Sequence, residues 1–544
     1  MEIKIIKNGK NWKTVRQKAD TTPLKIINKH KFQLNNIITV AKVNNNLVSL
    51  EHNIDKSCIL EYLDISSREG MRVYQDSLTL VLIQAAYELF ENARVEVKHS
   101  LADGYYIETH SRFLLTESDS AKLRRRMAEL ISSDKKFILH YVTLQEAKNI
   151  FKNNKIKLNL LRYYKGKKIL IYQFREIFES FNGPLVPSSG YLKLFDLKYV
   201  PPGIVLRFPT IDHPERIGKY HRQPNLLKIF TEYERWGHIL DLSYVSALNH
   251  KIENYEIDEI IQVSEALHEK KIAQIAEDIY QKRNSVKLVL VSGPSASGKT
   301  TFAKRLAIQL KVNGLSSLLL SLDDYFLDRD KTPRDKFGEY DFESIGALDK
   351  NLVNKHVQML LSDKEVKIPK FNFFKGKRER LAEKTRLYPN TILIVEGIHG
   401  LNDQLSPSIE RSKKYKIYIS ALTQLNLDNR NRISTSDTRI IRRIVRDSSS
   451  RGYSAAETIK RWDSIRVGER KYVFTFQEES DAMFNSALVY ELGVLKKYAI
   501  PALQKISPEF AEYSEAQRLI HLLSFFLNIP ENFIPRNSII REFI

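Results

Sequence analysis

One run, Gly293-Pro294-Ser295-Ala296-Ser297-Gly298-Lys299-Thr300, constrains the fold more than any other stretch of the chain. It fits the phosphate-loop pattern G-x-x-x-x-G-K-[ST] and follows the apolar residues 288–291, which predict a buried strand. In such a loop, backbone amides turn toward phosphate oxygens, the lysine reaches the β- and γ-phosphates, and the next hydroxyl ligates Mg²⁺. A helix opening at Thr301 adds its dipole behind the anion. The run therefore predicts a strand–loop–helix unit that binds a nucleoside triphosphate.

The composition indicates a multi-domain intracellular protein. With 544 residues, 42% of them hydrophobic, the chain can bury several cores, and its length predicts about three or four domains. The single cysteine, Cys58, excludes an internal disulfide framework and a cysteine-rich metal site. No stretch reaches the roughly 18–20 apolar residues of a membrane span, and the first residues lack the apolar core of a signal peptide. We therefore expect a soluble, cytoplasmic protein with no membrane partner.

The net charge of +21, from 86 Lys and Arg against 65 Asp and Glu, has two explanations. A basic surface can attract nucleic acid or anionic substrates. The lysines, however, are spread through the whole chain, including predicted strands, as a compositional bias would spread them. RNA contact through the N-terminal half therefore stays an open expectation.

The first three regions of the chain differ in their pattern. Residues 1–65 carry short alternating runs with polar turns, which predict a small, mostly β module. Residues 66–200 show an α+β pattern. Residues 201–284 begin with Pro201-Pro202-Gly203 and become helical and charged, which predicts a connector. Within the second region we predict a helix over 73–90, a turn at 102–104, a charged helix near 121–131 and strands near 168–172 and 191–199.

From residue 285 to 544, apolar strands alternate with helices. Such alternation predicts a parallel sheet that is covered on both faces. The predicted strands are residues 288–291, 317–322, 391–395, 415–419 and 487–490.

Carboxylates and arginines supply the remaining parts of a phosphoryl-transfer site. Asp323 and Glu396 follow two predicted strands, and the carboxyl ends of strands face the crevice where open α/β sheets bind ligands. Arg439, Arg443 and Arg446 recur at helical spacing, so they share a face that could close over phosphates. Together with the phosphate loop, these residues favour a kinase, because phosphoryl transfer requires positioning, Mg²⁺, charge neutralisation and a base.

Residues 285–495 resemble the uridine kinase family of nucleoside kinases, relatives of phosphoribulokinase. The motifs that carry the resemblance are GPSASGKTT, SLDDYF, EYDFESIGALD, IPKFNFFKGKRE, LIVEGIHGLN and TRIIRRIVRDSSSRG, in the family's order.

The resemblance implies ATP- and Mg²⁺-dependent phosphorylation of a nucleoside 5′-hydroxyl by a kinase domain over 285–544 that ends in a helical extension. Asp323 would take the hydroxyl proton beside Lys299, and Thr300 and Glu396 would hold Mg²⁺. The implied ATP contacts are Gly293, Ser295, Ala296, Ser297, Gly298, Lys299, Thr300 and Thr301. The implied substrate contacts are Tyr325, Tyr340, Glu343, Phe371, Arg378, Arg443, Arg446 and Arg451.

The chain departs from the family's pattern on the acceptor side. Glu343 stands where an aspartate usually holds the ribose hydroxyls, and it can still accept both protons. Gly376 replaces a histidine that commonly contacts the base, so base recognition does not carry over. Phe371 and Phe374 can form an aromatic slot that stacks on any ring. An insertion near 422–435 separates the fourth strand from the arginines.

Residues 1–200 resemble the two N-terminal domains of threonyl-tRNA synthetase, a β-grasp TGS domain and an α+β editing domain. Residues 72–90, the motif LADGYY at 101–106 and Gly183-Pro184 carry this resemblance. The family's editing site uses an H-x-x-x-H pair and a C-x-x-x-H pair, spacings suited to a metal or a polar catalytic cluster. Here these positions are Asp76, Leu80, Phe181 and Leu185, so we expect neither editing nor catalytic zinc.

Several alternatives remain open. The acceptor could be another small hydroxyl compound, or the chain could be an ATP-sensing regulator that binds tRNA or the ribosome. The retained Asp323 and Glu396 favour turnover. The sequence leaves the base, the oligomeric state (a homo-oligomer is one option) and the role of the N-terminal half undetermined.

Overall fold

The computed structural model describes all residues except 8–9, 92, 111–114, 335–337, 339, 374 and 424. Phe374, which we expected in an aromatic slot, thus lies outside the described residues. Within the described ranges, no helix is both long and apolar enough to cross a membrane.

The N-terminal region is a mixed sheet with one crossing helix. Its elements are β1 (Glu2–Lys7), β2 (Lys10–Arg16), α1 (Pro23–His30), β3 (Ile38–Val43), β4 (Asn46–Val48) and β5 (Cys58–Asp64). The strand order is β2-β1-β5-β3-β4, with β1 and β5 parallel. Ile3 and Ile5 are buried while Lys4 between them is exposed, as the period of two in a strand requires. This is the β-grasp arrangement that the sequence predicts.

The second region contains two antiparallel sheets that pack against a long helix. Its elements are α2 (Arg68–Leu89), β6 (Arg94–Leu101), β7 (Gly104–His110), α3 (Glu117–Ser132), β8 (Ile138–Val142), α4 (Leu144–Ile150), α5 (Lys155–Leu161), β9 (Ile169–Phe174), β10 (Ile177–Glu179), β11 (Asp196–Val200) and β12 (Gly203–Arg207). The strand orders are β10-β9-β8 and β11-β12-β7-β6. Buried residues of α2 share one apolar core with both sheets.

The structure confirms most of the elements predicted here and corrects two points. The helix over 73–90 lies within α2, and Ala102 and Asp103, both with positive φ, form the turn between β6 and β7. The strand predicted at 191–199 begins only at Asp196, because residues 189–191 form a 3-10 turn. The sheet also continues past residue 200, since β12 pairs with β7 and β11. The boundary at 200 therefore does not mark the end of this sheet.

Three helices precede the C-terminal sheet: α6 (Pro224–Ile239), α7 (Val245–Glu253) and α8 (Ile257–Gln281). Ile272 and Ile279 of α8 are buried in the same apolar core as Val289 and Val291 of the predicted phosphate-loop strand. The region predicted as a connector is therefore packed onto the C-terminal part of the chain.

The C-terminal part is a five-stranded parallel sheet flanked by helices. Its elements are β13 (Leu288–Ser292), α9 (Lys299–Val312), β14 (Ser316–Ser321), α10 (Lys350–Leu361), β15 (Val366–Asn372), β16 (Lys377–Thr385), β17 (Thr391–Glu396), β18 (Lys414–Ser420), α11 (Thr435–Arg446), α12 (Ala455–Tyr472), β19 (Ala482–Asn485), α13 (Glu491–Gln504) and α14 (Tyr513–Ser524). The order is β14-β17-β13-β18-β19, and β15 and β16 form a separate antiparallel hairpin.

Four of the five predicted strands are confirmed, as β13, β14, β17 and β18. The fifth, predicted at 487–490, is wrong, because the edge strand is β19. Asn485 ends that strand: its Nδ2 donates to Leu422 O and its Oδ1 accepts from Leu422 N, both at 2.8 Å. Its Oδ1 also accepts from Ala487 N at 2.9 Å, which turns the chain toward α13.

Residues 425–433, here called the linking segment, join the C-terminal part to the second region. Val97 N donates to Asn429 O at 2.9 Å, and Asn429 Nδ2 donates to Val95 O at 3.2 Å. Asn431 Nδ2 donates to Ser180 O at 2.9 Å. The insertion noted in the sequence therefore lies along β6 and contacts the residue after β10.

A buried ionic cluster fixes the linking segment. Lys157 Nζ lies 2.8 Å from Asp428 Oδ2 and also pairs with Glu179, which in turn pairs with Arg430. Lys157, Glu179 and Asp428 are almost completely buried. Burial alone would raise the pKa of Asp428, but the Lys157 ammonium holds it below its ordinary value. Each charge in this cluster thus depends on its partners.

A second ionic link joins α2 to the C-terminal helices. Arg72 Nη1 lies 3.3 Å from Glu515 Oε2. Arg518 Nη2 lies 2.8 Å from Glu515 Oε1 and 2.5 Å from Asp437 Oδ1 in the first turn of α11. The N-terminal half therefore contacts, through one arginine–carboxylate chain, the helix that carries the predicted phosphate-binding arginines.

We predict that Lys157→Ala destabilises the whole chain. The change leaves the Asp428 carboxylate buried without its counter-ion, which costs about 3–5 kcal/mol, while Glu179 keeps Arg430. Scanning calorimetry of the full chain should show a lower midpoint of unfolding. Lys152→Ala, at an exposed lysine nearby, should stay within about 0.5 kcal/mol of wild type. Equal midpoints for the two variants would contradict the role given to this cluster.

Candidate active site

The phosphate loop is a tight turn between β13 and α9. Ala296 and Gly298 both adopt left-handed backbone conformations, with φ of 58° and 81°. A Cβ on Gly293 would overlap Ile419 O, so only glycine fits there. Ser297 is buried under the loop, and Thr301 N and Oγ1 donate to Glu542 Oε2 at 3.2 and 2.8 Å. The amide of Thr301 in the first turn of α9 thus binds a carboxylate, which is the kind of contact that a helix N-terminus offers to an anion.

Lys299 lies at the centre of a group of carboxylates. Its Nζ donates to Pro294 O at 3.0 Å. Burial lowers the pKa of Lys299, and the nearby carboxylates of Glu396 and Asp323 oppose that effect, as do those of Glu542 and Glu343. The lysine therefore presents a desolvated positive charge at the loop.

Glu396 lies at the end of β17, next to the end of β14. Its Oε1 accepts from Ser321 Oγ at 2.7 Å and from Thr300 Oγ1 at 3.3 Å. Burial, together with the charge of Asp323, raises the pKa of Glu396 to about 7. A divalent cation would favour the ionised form of such a carboxylate. The hydroxyl and carboxylate oxygens present here are the ligands that Mg²⁺ prefers, so the donor set fits that ion.

The two aspartates after β14 differ in their surroundings. Asp324 Oδ1 accepts from Phe371 N at 3.2 Å and lies 3.7 Å from Lys370 Nζ, so it ties the turn to β15. Asp323 instead lies close enough to Lys299 and Glu396 for its charge to raise the pKa of both groups. Asp323 is therefore the aspartate that faces the phosphate loop.

Two arginines of α11 contact Ser295 of the loop. Arg439 Nε donates to Ser295 O at 2.9 Å, and Arg443 Nη1 donates to Ser295 Oγ at 2.6 Å. Arg439 also pairs with Glu469, whose Oε1 accepts from Ser295 N at 2.8 Å. The shared helix face predicted from the spacing thus reaches the phosphate loop.

Of the other arginines, Arg442 also reaches the loop, because its Nη1 donates to Ala296 O at 3.3 Å, whereas Arg446 and Arg451 contact other groups. Arg446 Nη2 lies 3.0 Å from Asp447 Oδ1. Burial and the neighbouring Arg451 lower the pKa of Arg446 to about 10. Arg451 lies 5.0 Å from the ring centroid of Phe373. Arg442 is completely buried and donates to Glu491 Oε2 at 2.9 Å, so its role is structural.

Glu343 lies beside a second carboxylate, that of Glu469. A Cβ on Gly468 would overlap the Glu343 side chain, so this glycine makes room for it. Burial, reinforced by the charge of Glu469, raises the pKa of Glu343 to about 7. Oε2 of each carboxylate is buried and meets no hydrogen-bond partner among the described residues. The site thus holds two acceptor atoms that a hydroxyl-bearing molecule could satisfy.

The remaining predicted acceptor residues serve mostly to hold the fold. Tyr325 is fully buried, and its hydroxyl pairs with His356 Nδ1 at 2.9 Å. Arg378 donates to Asp349 Oδ2 at 3.2 Å and to two backbone oxygens. Phe371 is buried and packs against the rings of Phe326 and Phe373. The Arg334 guanidinium lies 4.3 Å from the Tyr340 ring centroid.

Sequence reasoning missed three residues near the site: Glu469, His399 and Glu542. Glu469 and Glu542 follow no phosphate-loop motif, so no local signal could have identified them. His399 lies within the quoted motif LIVEGIHGLN, but no chemical role was inferred for it. It is completely buried, which lowers its pKa to about 4, so it is neutral at pH 7.

The positions that align with the editing motifs of threonyl-tRNA synthetase lie in an apolar interior. Leu80 and Leu185 are buried, and Phe181 is nearly so. Residues of the linking segment contact the backbone next to Phe181. Asp76 is the only polar side chain of the four, and burial raises its pKa to about 7. These positions bring no set of metal ligands together.

Comparison with known proteins finds a family similarity in the C-terminal part of the chain. Residues 288–491 match the model of the phosphoribulokinase/uridine kinase family. The matched residues include the phosphate loop, Asp323, Glu396 and the arginines of α11.

The N-terminal half is similar to threonine–tRNA ligases. The ligase of Rubrobacter xylanophilus is 29% identical over 161 residues, which cover 30% of this chain and 25% of the ligase. Ligase 2 of Bacillus subtilis is 28% identical over 162 residues, 29% of this chain and 25% of the ligase. The chain thus spans about a quarter of the length of these curated relatives.

Two solved kinase structures also match. A possible uridine kinase from Bacillus stearothermophilus shares 20% identity over 27% of this chain and 79% of its own, with a TM-score of 0.24. A D-glycerate 3-kinase from Cryptococcus neoformans shares 17% identity over 46% of this chain and 87% of its own, also with a TM-score of 0.24.

We predict that the purified protein contains no stoichiometric zinc and does not hydrolyse Ser-tRNA. Leu80, Phe181 and Leu185 offer no donor atoms. Elsewhere in the described chain, Glu96, Glu108 and His110 lie close enough together to hold a metal. The Lys98 ammonium, 3.0 Å from Glu96 and 3.6 Å from Glu108, already supplies a cation there.

Metal analysis of protein purified without chelator, and a deacylation assay with mischarged tRNA, check this prediction. One zinc per chain, or hydrolysis above the uncatalysed rate, would contradict it.

Proposed function

We propose that this protein is an ATP- and Mg²⁺-dependent kinase that phosphorylates the 5′-hydroxyl of a ribonucleoside. The observation that carries the proposal is the arrangement of Asp323 and Glu396. These carboxylates follow neighbouring parallel strands and face Lys299 and Thr300 of the phosphate loop. The kinase family of residues 288–491 supports a phosphoryl transfer, and the acceptor is our inference.

On the donor side, positive charge and amides would hold the triphosphate. Lys299 is a desolvated cation at the loop, and Arg443 and Arg439 lie at Ser295 on its other side. Thr300 and Glu396 would ligate Mg²⁺, which when bound neutralises phosphate charge. These groups already lie at the ends of strands and helices beside the loop.

On the acceptor side, Asp323 would act as the general base. It would take the proton of the attacking 5′-hydroxyl as that oxygen bonds to the γ-phosphorus and ADP departs. Glu343 would accept hydrogen bonds from the two ribose hydroxyls through a longer stem than aspartate has. The unpartnered Oε2 atoms of Glu343 and Glu469 support this role.

Two other functions fit part of the same observations. A kinase of a different small hydroxyl acceptor would keep Asp323 and Glu396 and use Glu343 for other hydroxyls. An ATP-sensing protein that binds tRNA or the ribosome would draw on the ligase-like N-terminal half and the net charge of +21. An ATP-consumption screen across ribonucleosides and non-nucleoside alcohols separates the three, since the sensor would turn over none of them.

We predict that Asp323→Asn lowers kcat about 10²–10⁴-fold while ATP affinity stays near that of wild type, because the variant loses only the proton acceptor. Asp324→Asn is the matched control and should be far milder, since Asp324 binds the backbone of Phe371. Lys299→Ala should instead weaken ATP binding. Turnover by Asp323→Asn near that of wild type, with the acceptor present, would refute the assignment.

We also predict that selectivity for ribose exceeds selectivity for the base and depends on pH. With the pKa of Glu343 at about 7, the ionised fraction rises about tenfold between pH 6 and pH 8. At saturating ATP and Mg²⁺, the ratio of kcat/KM for a ribonucleoside to that for its 2′-deoxy form should therefore rise as the pH is raised from 6 to 8.

The matched control for this test is Glu343→Gln, which should remove both the preference for ribose and its pH dependence. Gly376 offers no side chain to hydrogen-bond a base, so different bases should differ by only about 10–200-fold. Equal rates on ribo and deoxy substrates, with a sharp preference for one base, would contradict the prediction. The site would then recognise the base and not the ribose.

A further inference from the structure

Residues 538–543, here called the closing segment, pack against the phosphate loop from a distant part of the chain. The segment contains a 3-10 turn, Ile539–Glu542. Ile539, Ile540 and Phe543 are buried in the core of the C-terminal part. Arg541 Nη2 donates to the backbone oxygens of Ile534 and Glu531 at 2.8 and 2.9 Å. These contacts fix the position from which Glu542 projects.

Glu542 takes hydrogen bonds that the loop would offer to a phosphate. Its Oε2 accepts from Thr301 N at 3.2 Å and from Thr301 Oγ1 at 2.8 Å. Amides in the first turn of a phosphate-loop helix are the groups that bind phosphate oxygens. The carboxylate therefore occupies a position where a phosphate oxygen would find the same donors.

The closing segment also covers the loop itself. A Cβ on Gly298 would lie 2.5 Å from Ile539 Cγ2, so Ile539 rests directly on this glycine. The Arg442 guanidinium lies 5.0 Å from the Phe543 ring centroid and donates to Ala296 O at 3.3 Å. The contact is thus a packed surface and not one isolated hydrogen bond.

The negative charge of Glu542 also disfavours a phosphate group at the same position. It lies close enough to raise the pKa of both Lys299 and Glu396. A triphosphate would bring further negative charge to the same lysine, and like charges in a desolvated site repel strongly. The carboxylate and a phosphate group are therefore alternative partners of Thr301, and both place negative charge near Lys299.

We propose that Glu542 is a built-in competitor of the donor nucleotide, and that nucleotide binds only when this carboxylate leaves Thr301. The proposal rests on the proposed function, because it takes the phosphate loop as the nucleotide site. The measured affinity then equals the intrinsic affinity multiplied by the fraction of molecules in which Glu542 is displaced. Glu542 thereby lowers nucleotide affinity and keeps the free loop neutralised.

Calorimetric titration of the full chain with ADP and Mg²⁺ tests the proposal. Glu542→Ala should bind ADP about tenfold more tightly than wild type, because it removes a charged hydrogen-bond competitor. Glu542→Gln, which keeps an acceptor oxygen but loses the charge, should fall between the two. Glu509→Ala, at an exposed glutamate of the same region, is the matched control and should bind as wild type does.

Thermal unfolding supplies a second readout. Without nucleotide, Glu542→Ala should melt at or below the temperature of wild type, yet ADP should raise its midpoint more. If Glu542→Ala binds ADP as wild type does or more weakly, the carboxylate does not compete and the proposal is overturned. If the wild type and the Glu542 variants bind ADP no better than Lys299→Ala does, the nucleotide site itself is wrong, and the proposed function fails with this inference.

Discussion

The balance of charge around the Lys299 ammonium organises the C-terminal half of the protein. Asp323 and Glu396 approach it from two strand ends, Glu343 from the loop before α10, and Glu542 from the closing segment. Glu343 and Glu396 are desolvated, and such groups are costly unless a cation or a hydrogen bond compensates them. The raised pKa values of Glu343 and Glu396, both about 7, indicate that one lysine compensates this group only in part. The site is therefore electrostatically suited to take up a divalent cation.

The sequence predicted those parts of the structure that local patterns encode. The phosphate loop and the strand-end positions of Asp323 and Glu396 follow from short motifs beside apolar runs, so their meeting at one sheet edge could be anticipated. Glu469 and Glu542 could not, because they reach the loop from distant segments and no local pattern distinguishes them from surface glutamates. The edge strand was misplaced for a similar reason, since the side chain of Asn485 ends β19 through contacts with Leu422.

The roles of some residues within the motifs could not be predicted from the sequence. Tyr325 and Arg378 belong to stretches that resemble the kinase family. In the structure, however, Tyr325 forms a hydrogen bond with His356, and Arg378 donates to Asp349. Their hydrogen bonds keep the turn after β14 in place, which positions Asp323 indirectly. Sequence alone cannot separate a side chain that touches a substrate from one that supports its neighbour, because both occur in the same motif.

The buried cluster of Lys157, Glu179 and Asp428 has a consequence for how the chain can be divided. Its charges come from both halves, and removal of either half would break the Lys157–Asp428 and Arg430–Glu179 pairs. The surface between the halves is thus comparable to the interface of an obligate dimer whose two subunits happen to be covalently joined. The two halves should unfold together. A fragment cut near residue 285 would expose the surface that the other half covers in the full chain.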